Sequence, residues 1–347
     1  MSTNGRVIAK GLNRIGLTKK DYGGRPSTLC AGCGHDSISS QIITVCYELG
    51  IKPEGLIKLS GIGCSSKSPA YFISRSHGFN AVHGRMPSVG TGALLANRSL
   101  KAIGVSGDGD TSSIGIGQFK HVMRRNVPLV YVVENNGVYG LTKGQFSPTA
   151  DVGSIQKHYG QNELPPVDLA LEAISAGCGY VARSFAGDPK QVRPLLKGAL
   201  AFEGTSMLDV ISPCVTFNNH DASTKSFAWM RAHDEPLHLV DYVPAQAEIS
   251  VDYEPGETRE VQLHDGSHIV LKKLDEDYDP TNRDAAIAIL EKSRREGVFL
   301  TGLIYFNPQV EILAEQIGLT ETPLALLPDD QLRPPPESLD RIMAAML

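Results

Sequence analysis

No uncharged stretch in the 347-residue sequence approaches the roughly 20 residues that a membrane-spanning helix needs, which excludes a helical membrane protein. Long Lys/Arg blocks are also missing, and with a formal net charge of −5 the chain carries no electrostatic footprint for nucleic acid. No hydrophobic secretory stretch follows Met1. Residues 1–20 hold Arg6, Lys10, Arg14, Lys19 and Lys20 with no acid, and read as a frayed N-terminal tail rather than an organelle transit peptide. Without export, disulfides are not expected, and a reducing cytoplasm is the implied compartment. Internal repeats are absent too. The composition, 41% apolar and 20% charged, is that of a globular protein with room for about two domains. Glycine is abundant, at 35 residues, against a usual share of roughly 7%.

The six cysteines fall into two groups. Cys46 lies in the apolar helical stripe Ile38, Ile42, Val45, Cys46, Leu49, and Cys178 enters an apolar run, so both read as core thiols. Cys30 and Cys33 sit instead in a Gly-containing loop, Cys64 in Ser60-Gly61-Ile62-Gly63-Cys64-Ser65-Ser66, and Cys214 after Ile211-Ser212-Pro213. Each follows or closes an apolar run at a turn, where a loop presents a thiolate. Four such thiols suit tetrahedral zinc or an iron-sulfur cluster. Structural zinc favours two close pairs, so one pair plus two distant singles leans towards a cluster.

Short aliphatic runs at Leu56–Ser60, Leu100–Ser106, Val127–Val133 and Ser206–Ser212 alternate with helical periodicity at Gly115–Asn126 and Pro189–Phe202. Such alternation predicts an α/β fold with a mostly parallel sheet covered by helices on both faces. Ligands of such sheets bind beyond the carboxyl ends of the strands, where the glycines cluster. After about residue 215 the pattern changes. Glu260–Leu274 alternates around Asp265-Gly266 as a hairpin, a helix follows at Asn282–Glu296, and Leu332–Pro336 is proline-rich. The chain therefore divides into a tail (1–20), a cofactor domain (21–220) and a C-terminal extension (221–347) that wraps the core or a partner.

The most specific stretch is Gly107-Asp108-Gly109-Asp110 at a strand end, followed 28 residues after Asp108 by Asn136 in Glu134-Asn135-Asn136-Gly137-Val138-Tyr139. A diphosphate needs magnesium, and magnesium needs hard oxygen ligands. Two neighbouring strand ends joined by one crossover helix bring a carboxylate, an amide oxygen and a backbone carbonyl together, while glycines let amides approach phosphate oxygens. The pair resembles the thiamine diphosphate signature, which implies Asp108, Asn136 and the Val138 carbonyl as magnesium ligands.

With these residues assembled, residues 20 to 220 resemble the β subunit of a 2-oxoacid:ferredoxin oxidoreductase. The resemblance rests on Cys30-Ala31-Gly32-Cys33-Gly34-His35, Ser60 to Lys67, His83-Gly84-Arg85, Gly107 to Asp110, Arg124-Arg125-Asn126 and the run Asn135 to Thr149, all in order. It implies the thiamine diphosphate-binding fold and one 4Fe-4S cluster on Cys30, Cys33, Cys64 and Cys214. Ala31, where many members have proline, stiffens the loop less and leaves ligation intact. No Cys-x-x-Cys-x-x-Cys run occurs, so a second cluster is not expected. The implied cofactor pocket comprises Ile62, Gly63, Cys64 and Ser65, then His83 and Gly84, then Gly107, Asp108, Gly109 and Asp110, then Asn136, Val138, Gly140 and Leu141.

The implied activity is oxidative decarboxylation of a 2-oxo acid, with electrons passed through the cluster to ferredoxin and the acyl group taken by coenzyme A; reverse carboxylation is open. The glutamate that must face the aminopyrimidine ring has no matching motif here. A partner α subunit carrying the pyrimidine-binding domain is therefore implied, in an αβ or α2β2 complex. Lys67 and Lys143 are the candidate substrate cations, and two lysines suit a dicarboxylate such as 2-oxoglutarate, with pyruvate next. His83 is a candidate for the diphosphate or the reacting centre, while His35 and Arg124-Arg125 read as structural. Two alternatives remain: a non-oxidative thiamine decarboxylase or synthase subunit, which has no use for four loop cysteines, and a non-catalytic iron-sulfur scaffold.

Overall fold

The computed structural model describes residues 11–156, 158–212, 214–217, 251–262, 268–274, 278–296 and 298–346. Among them, nine strands form one sheet in the order β11-β12-β13-β9-β10-β4-β3-β1-β2. Its parallel part comprises β1 (Leu56–Ser60), β2 (His77–Asn80), β3 (Lys101–Gly107), β4 (Leu129–Asn135), β9 (Tyr180–Phe185) and β10 (Ser206–Ile211). Two short ribbons lie outside it, β5 (Val138–Tyr139) with β6 (Gln145–Phe146), and β7 (Ile155–Gln156) with β8 (Gly160–Gln161).

Side-chain alternation along β4 shows how the sheet divides the core. Leu129, Tyr131 and Val133 join one apolar cluster and Val130 and Val132 the other. The first face is covered by α2 (Met86–Ala96), α3 (Ile116–Arg125), α4 (Leu169–Ser175) and α6 (Arg283–Glu296), and the second by α1 (His35–Glu48) and α5 (Pro189–Ala201). Helix α3 ends on Asn126 in the left-handed region (φ 49°). Its amide accepts from the Thr205 N–H at 2.8 Å and donates to the Val310 carbonyl at 2.8 Å.

Elements with simple patterns match the sequence closely. β1 has the expected limits, α5 stops one residue short, and β4 starts two residues late because Pro128 has no N–H for the ladder. Asn282, the expected first helical residue, instead caps α6, its side chain accepting from the Ala285 N–H at 3.0 Å. Three elements carried no clear signal. β2 is exposed at all four positions, α2 contains Gly90 and Gly92, and Arg183 interrupts the apolar pattern of β9.

The C-terminal segment departs from the expected appendage. β13 (Phe299–Phe306) pairs antiparallel with β9, β12 (His268–Lys273) pairs parallel with β13, and β11 (Thr258–Gln262) completes the edge, so these strands extend the main sheet. β11 and β12 form the expected hairpin; its Asp265-Gly266 turn, the boundary near residue 220 and residues 1–10 lie outside the described residues. Of the expected tail, Asn13 is anchored: its amide donates to the Tyr22 hydroxyl at 2.9 Å and the Tyr47 carbonyl at 3.0 Å.

Candidate active site

The carboxyl ends of β1, β3, β4 and β10 lie along one edge of the sheet, and the loops leaving them carry most of the expected site residues. Ile62, Gly63, Cys64, Ser65, His83, Gly107, Asp108, Gly109, Asp110, Asn136, Val138, Gly140 and Leu141 line one pocket; Gly84 does not. Ile114, Tyr139 and Thr142 complete the lining without a signal of their own in the sequence.

Asp110 is the knot that shapes the pocket floor. One oxygen accepts from the Gly84 N–H at 2.8 Å, the other from the Ser106 hydroxyl at 2.9 Å and the Ile62 N–H at 3.3 Å. It therefore fastens the loops after β1 and β2 to the end of β3. Gly84 sits at φ +66°, and a Cβ there would stand 2.6 Å from the Gly115 nitrogen, so the close approach of these loops requires glycine. Gly109 is similarly constrained, because the Tyr139 ring occupies the space a Cβ would fill and its hydroxyl donates to the Gly109 carbonyl at 2.9 Å.

Asp108 is 1% exposed. It accepts from the Asn136 N–H at 3.3 Å, from the Thr149 hydroxyl at 2.6 Å and from the Ser147 hydroxyl. Burial pushes its carboxyl above the usual range despite these bonds, and among the described residues no Lys, Arg or His forms an ion pair with it. The Asn136 side-chain oxygen accepts from the Val138 N–H at 3.1 Å, and Asp108, Asn136 and Val138 all line the pocket. A buried carboxylate without a protein counter-charge, in a pocket with an amide and a backbone carbonyl, fits a hard divalent cation.

A second chain of contacts supports this turn from behind. The Thr149 hydroxyl also reaches the Asn135 side-chain oxygen at 3.0 Å, the Asn135 amide donates to Asp209 at 3.0 Å, and Arg183 bridges Asp209 at 2.8 Å and Asp168 at 2.6 Å. Burial alone would raise Asp168, but the Arg183 guanidinium outweighs it and holds the carboxyl below its ordinary range. Arg183→Met would leave both carboxylates buried without a counter-charge. The expected loss is about 3–5 kcal/mol of stability, read as a lowered denaturation midpoint; an unchanged midpoint would contradict it.

The four loop cysteines converge at the other side of the pocket. Measured from the position a Gly140 Cβ would take, the Cys64 sulfur lies at 3.6 Å and the Cys214 sulfur at 3.8 Å. Thr216, two residues past Cys214, places its hydroxyl 3.6 Å from the Cys30 sulfur. Cys33 feels the charge of Cys214, and Cys64 and Cys214 that of Cys30. Burial pushes the Cys33 thiol up to about 12 and raises those of Cys64 and Cys214, so metal binding here must displace protons. Among the described residues, no three His, Cys, Asp or Glu side chains are grouped tightly enough to hold a single metal ion. A cubane cluster takes one thiolate at each of four irons, so its ligands stand farther apart than those of one tetrahedral ion. Cys46 and Cys178 are fully buried core thiols, as expected.

Lys67 and Lys143 are exposed and absent from the pocket lining; Lys67 is close enough to Cys64 to oppose the rise of its thiol, and Lys143 adjoins Thr142 in the left-handed region at φ 78°. His83 does line the pocket. Arg124 and Arg125 form the last turn of α3.

Residues 61–210 match the family described as thiamine pyrophosphate enzyme, C-terminal TPP binding domain. The chain is 40% identical over 220 residues to a 2-oxoacid:ferredoxin oxidoreductase subunit beta of Saccharolobus solfataricus, covering 62% of this chain and 69% of that one. It is 37% identical over 194 residues to a 2-oxoglutarate synthase subunit KorB of Methanocaldococcus jannaschii, covering 55% of this chain and 71% of the relative. Among solved structures, it is similar to a 2-oxoglutarate:ferredoxin oxidoreductase from Magnetococcus marinus with 2-oxoglutarate, coenzyme A and succinyl-CoA bound, at TM-score 0.68 and 30% identity, over 95% of this chain and 96% of that one. With the strand-end pocket and the conjunction of its motifs, these similarities make the chain a member of the 2-oxoacid:ferredoxin oxidoreductase β-subunit family.

Proposed function

We propose that the chain joins an α subunit in the cytoplasm to convert a 2-oxo acid, 2-oxoglutarate first and pyruvate next, to acyl-coenzyme A and carbon dioxide, passing electrons to ferredoxin. Thiamine diphosphate supplies the carbon centre that stabilises the electron pair left by decarboxylation. Asp108, Asn136 and the Val138 carbonyl would hold its magnesium, and Cys30, Cys33, Cys64 and Cys214 one 4Fe-4S cluster. The observation that carries this reading is the closeness of the Cys64 and Cys214 sulfurs to Gly140, whose own loop lines the diphosphate pocket. A non-oxidative thiamine enzyme has no use for that arrangement.

The residues of this chain divide the remaining work. Asp110 holds the two loops that shape the floor, Tyr139 fixes Gly109, and His83 faces the pocket as a hydrogen-bonding group. The pocket's exposed Ile114 and Leu141, with Val82 and Phe79 near the end of β2, leave apolar surface for the α subunit to cover and thereby exclude water. All six cysteines are free thiols, and no described helix is long and apolar enough to cross a membrane.

Co-purification with the α subunit followed by a panel of pyruvate, 2-oxoglutarate and branched 2-oxo acids, with viologen as acceptor, tests the reading. Coenzyme A-dependent reduction is expected, fastest with 2-oxoglutarate; reduction with none of them would overturn it. Lys143→Gln and Lys67→Gln should each raise KM for 2-oxoglutarate about 10- to 100-fold, the worth of a charge-assisted hydrogen bond, and affect pyruvate less. Unchanged KM in both variants would remove the lysines from substrate recognition.

A further inference from the structure

Three segments carry the four loop thiols, and each sends one buried side chain to the same point beneath them. His35, two residues after Cys33, opens α1; Ser68 lies four residues after Cys64; Ser212 lies two residues before Cys214. All three meet at or next to Glu134. The Ser68 hydroxyl lies 3.0 Å from both Glu134 oxygens, and His35 Nδ1 lies 3.6 Å from one of them and 2.7 Å from the Ser212 hydroxyl. The Ser212 N–H donates to the carbonyl of Asn135, the next residue of β4, at 2.7 Å. None of the four side chains is more than 1% exposed, and His35 Nε2 finds no hydrogen-bond partner among the described residues.

An ionisable side chain in the middle of a parallel sheet is costly, and the residues of β4 before Glu134 are all aliphatic or aromatic. The alternation of β4 directs Glu134 to the α1 face, directly below the thiol loops, and Asn136 follows two residues later at the diphosphate turn. We infer that Glu134 is a positioning residue that ties the three thiol-bearing segments to one another and to the diphosphate strand, setting the geometry in which the thiols hold their cluster. This inference rests on the cluster reading proposed above. Glu134 is assigned no ligand role; it acts through Ser68 and through the His35–Ser212 pair. Cluster spectra and potentials respond to such surrounding hydrogen bonds and to ligand orientation.

The test uses the complex with its α subunit, purified without oxygen. Ser68→Ala severs one tie, Glu134→Ala removes the hub, and Glu134→Gln keeps an acceptor oxygen for Ser68. Iron content, the electron paramagnetic resonance spectrum of the reduced cluster and its midpoint potential are measured beside thiamine diphosphate affinity. The inference predicts that Ser68→Ala retains wild-type cofactor affinity but shows shifted g values, a shifted potential and faster iron loss in air, that Glu134→Ala exaggerates these changes, and that Glu134→Gln restores the wild-type spectrum. Should Glu134→Ala fail to fold, Ser68→Ala against Glu134→Gln carries the comparison. A wild-type spectrum and potential in Ser68→Ala would overturn the inference, as would a parallel loss of cofactor affinity and iron, which marks general destabilisation. A wild-type complex without any cluster signal is a distinct failure, that of the proposed function itself.

Discussion

Asp108→Asn should leave the chain folded and reduce magnesium-dependent binding of thiamine diphosphate by roughly 100-fold or more, with turnover of the complex falling to background. The substitution preserves shape. An asparagine oxygen placed on the side of Ser147 and Thr149 still accepts from both hydroxyls, and only the longer bond from the Asn136 N–H, 3.3 Å in Asp108, is lost, so the turn keeps most of its hydrogen bonds. What disappears is the negative charge, and Asp108 is the one carboxylate of the three donors proposed for magnesium. Isothermal titration of the αβ complex with thiamine diphosphate and magnesium reads the effect. Affinity within a few-fold of wild type would remove Asp108 from the metal's ligands, whereas Asp108→Ala would confuse that question by stripping the acceptor from Ser147 and Thr149.

Cys214→Ser has the second large expected effect, and a contrasting one. A hydroxyl is a poor ligand for iron at neutral pH, so the cluster should be lost or become labile to oxygen, and viologen reduction should fall to background. Thiamine diphosphate affinity should hold, because Cys214 is not among the residues that line the pocket. Decarboxylation should persist in part, since that step precedes electron transfer. Iron content and acceptor reduction together check this; wild-type iron in the variant would remove Cys214 from the ligand set.

How far the sequence could be read depended on whether each residue's neighbours in the chain were also its neighbours in space. The aliphatic runs of β1, β3, β4 and β10 ended in glycines and cysteines, so the strand ends, the pocket and the set of four thiols were legible from local pattern. Arg183 broke the pattern of β9 because its partners, Asp168 and Asp209, come from other segments. Gly90 and Gly92 weaken the helical pattern of α2, yet Gly90 lets the helix lie against Leu59, leaving no space for a Cβ. Ser147 and Thr149 belonged to a motif long before they had a task, which became visible only when both reached Asp108. In the sequence Glu134 is simply the residue before two asparagines, while the side chains gathered at it, His35, Ser68 and Ser212, span nearly 180 residues of chain. Folding the C-terminal strands onto β9 was equally non-local.

On the proposed function, electrons released from a 2-oxo acid at the pocket enter a cluster held by the adjacent thiols of this chain. Freeze-quenched electron paramagnetic resonance of the oxygen-free αβ complex, recorded after adding 2-oxoglutarate and coenzyme A without ferredoxin, tests it most directly. The account predicts a reduced 4Fe-4S signal that requires the 2-oxo acid and disappears in Cys64→Ser and Cys214→Ser. A complex that turns over 2-oxoglutarate with no such signal, or with the signal intact in both variants, would contradict it.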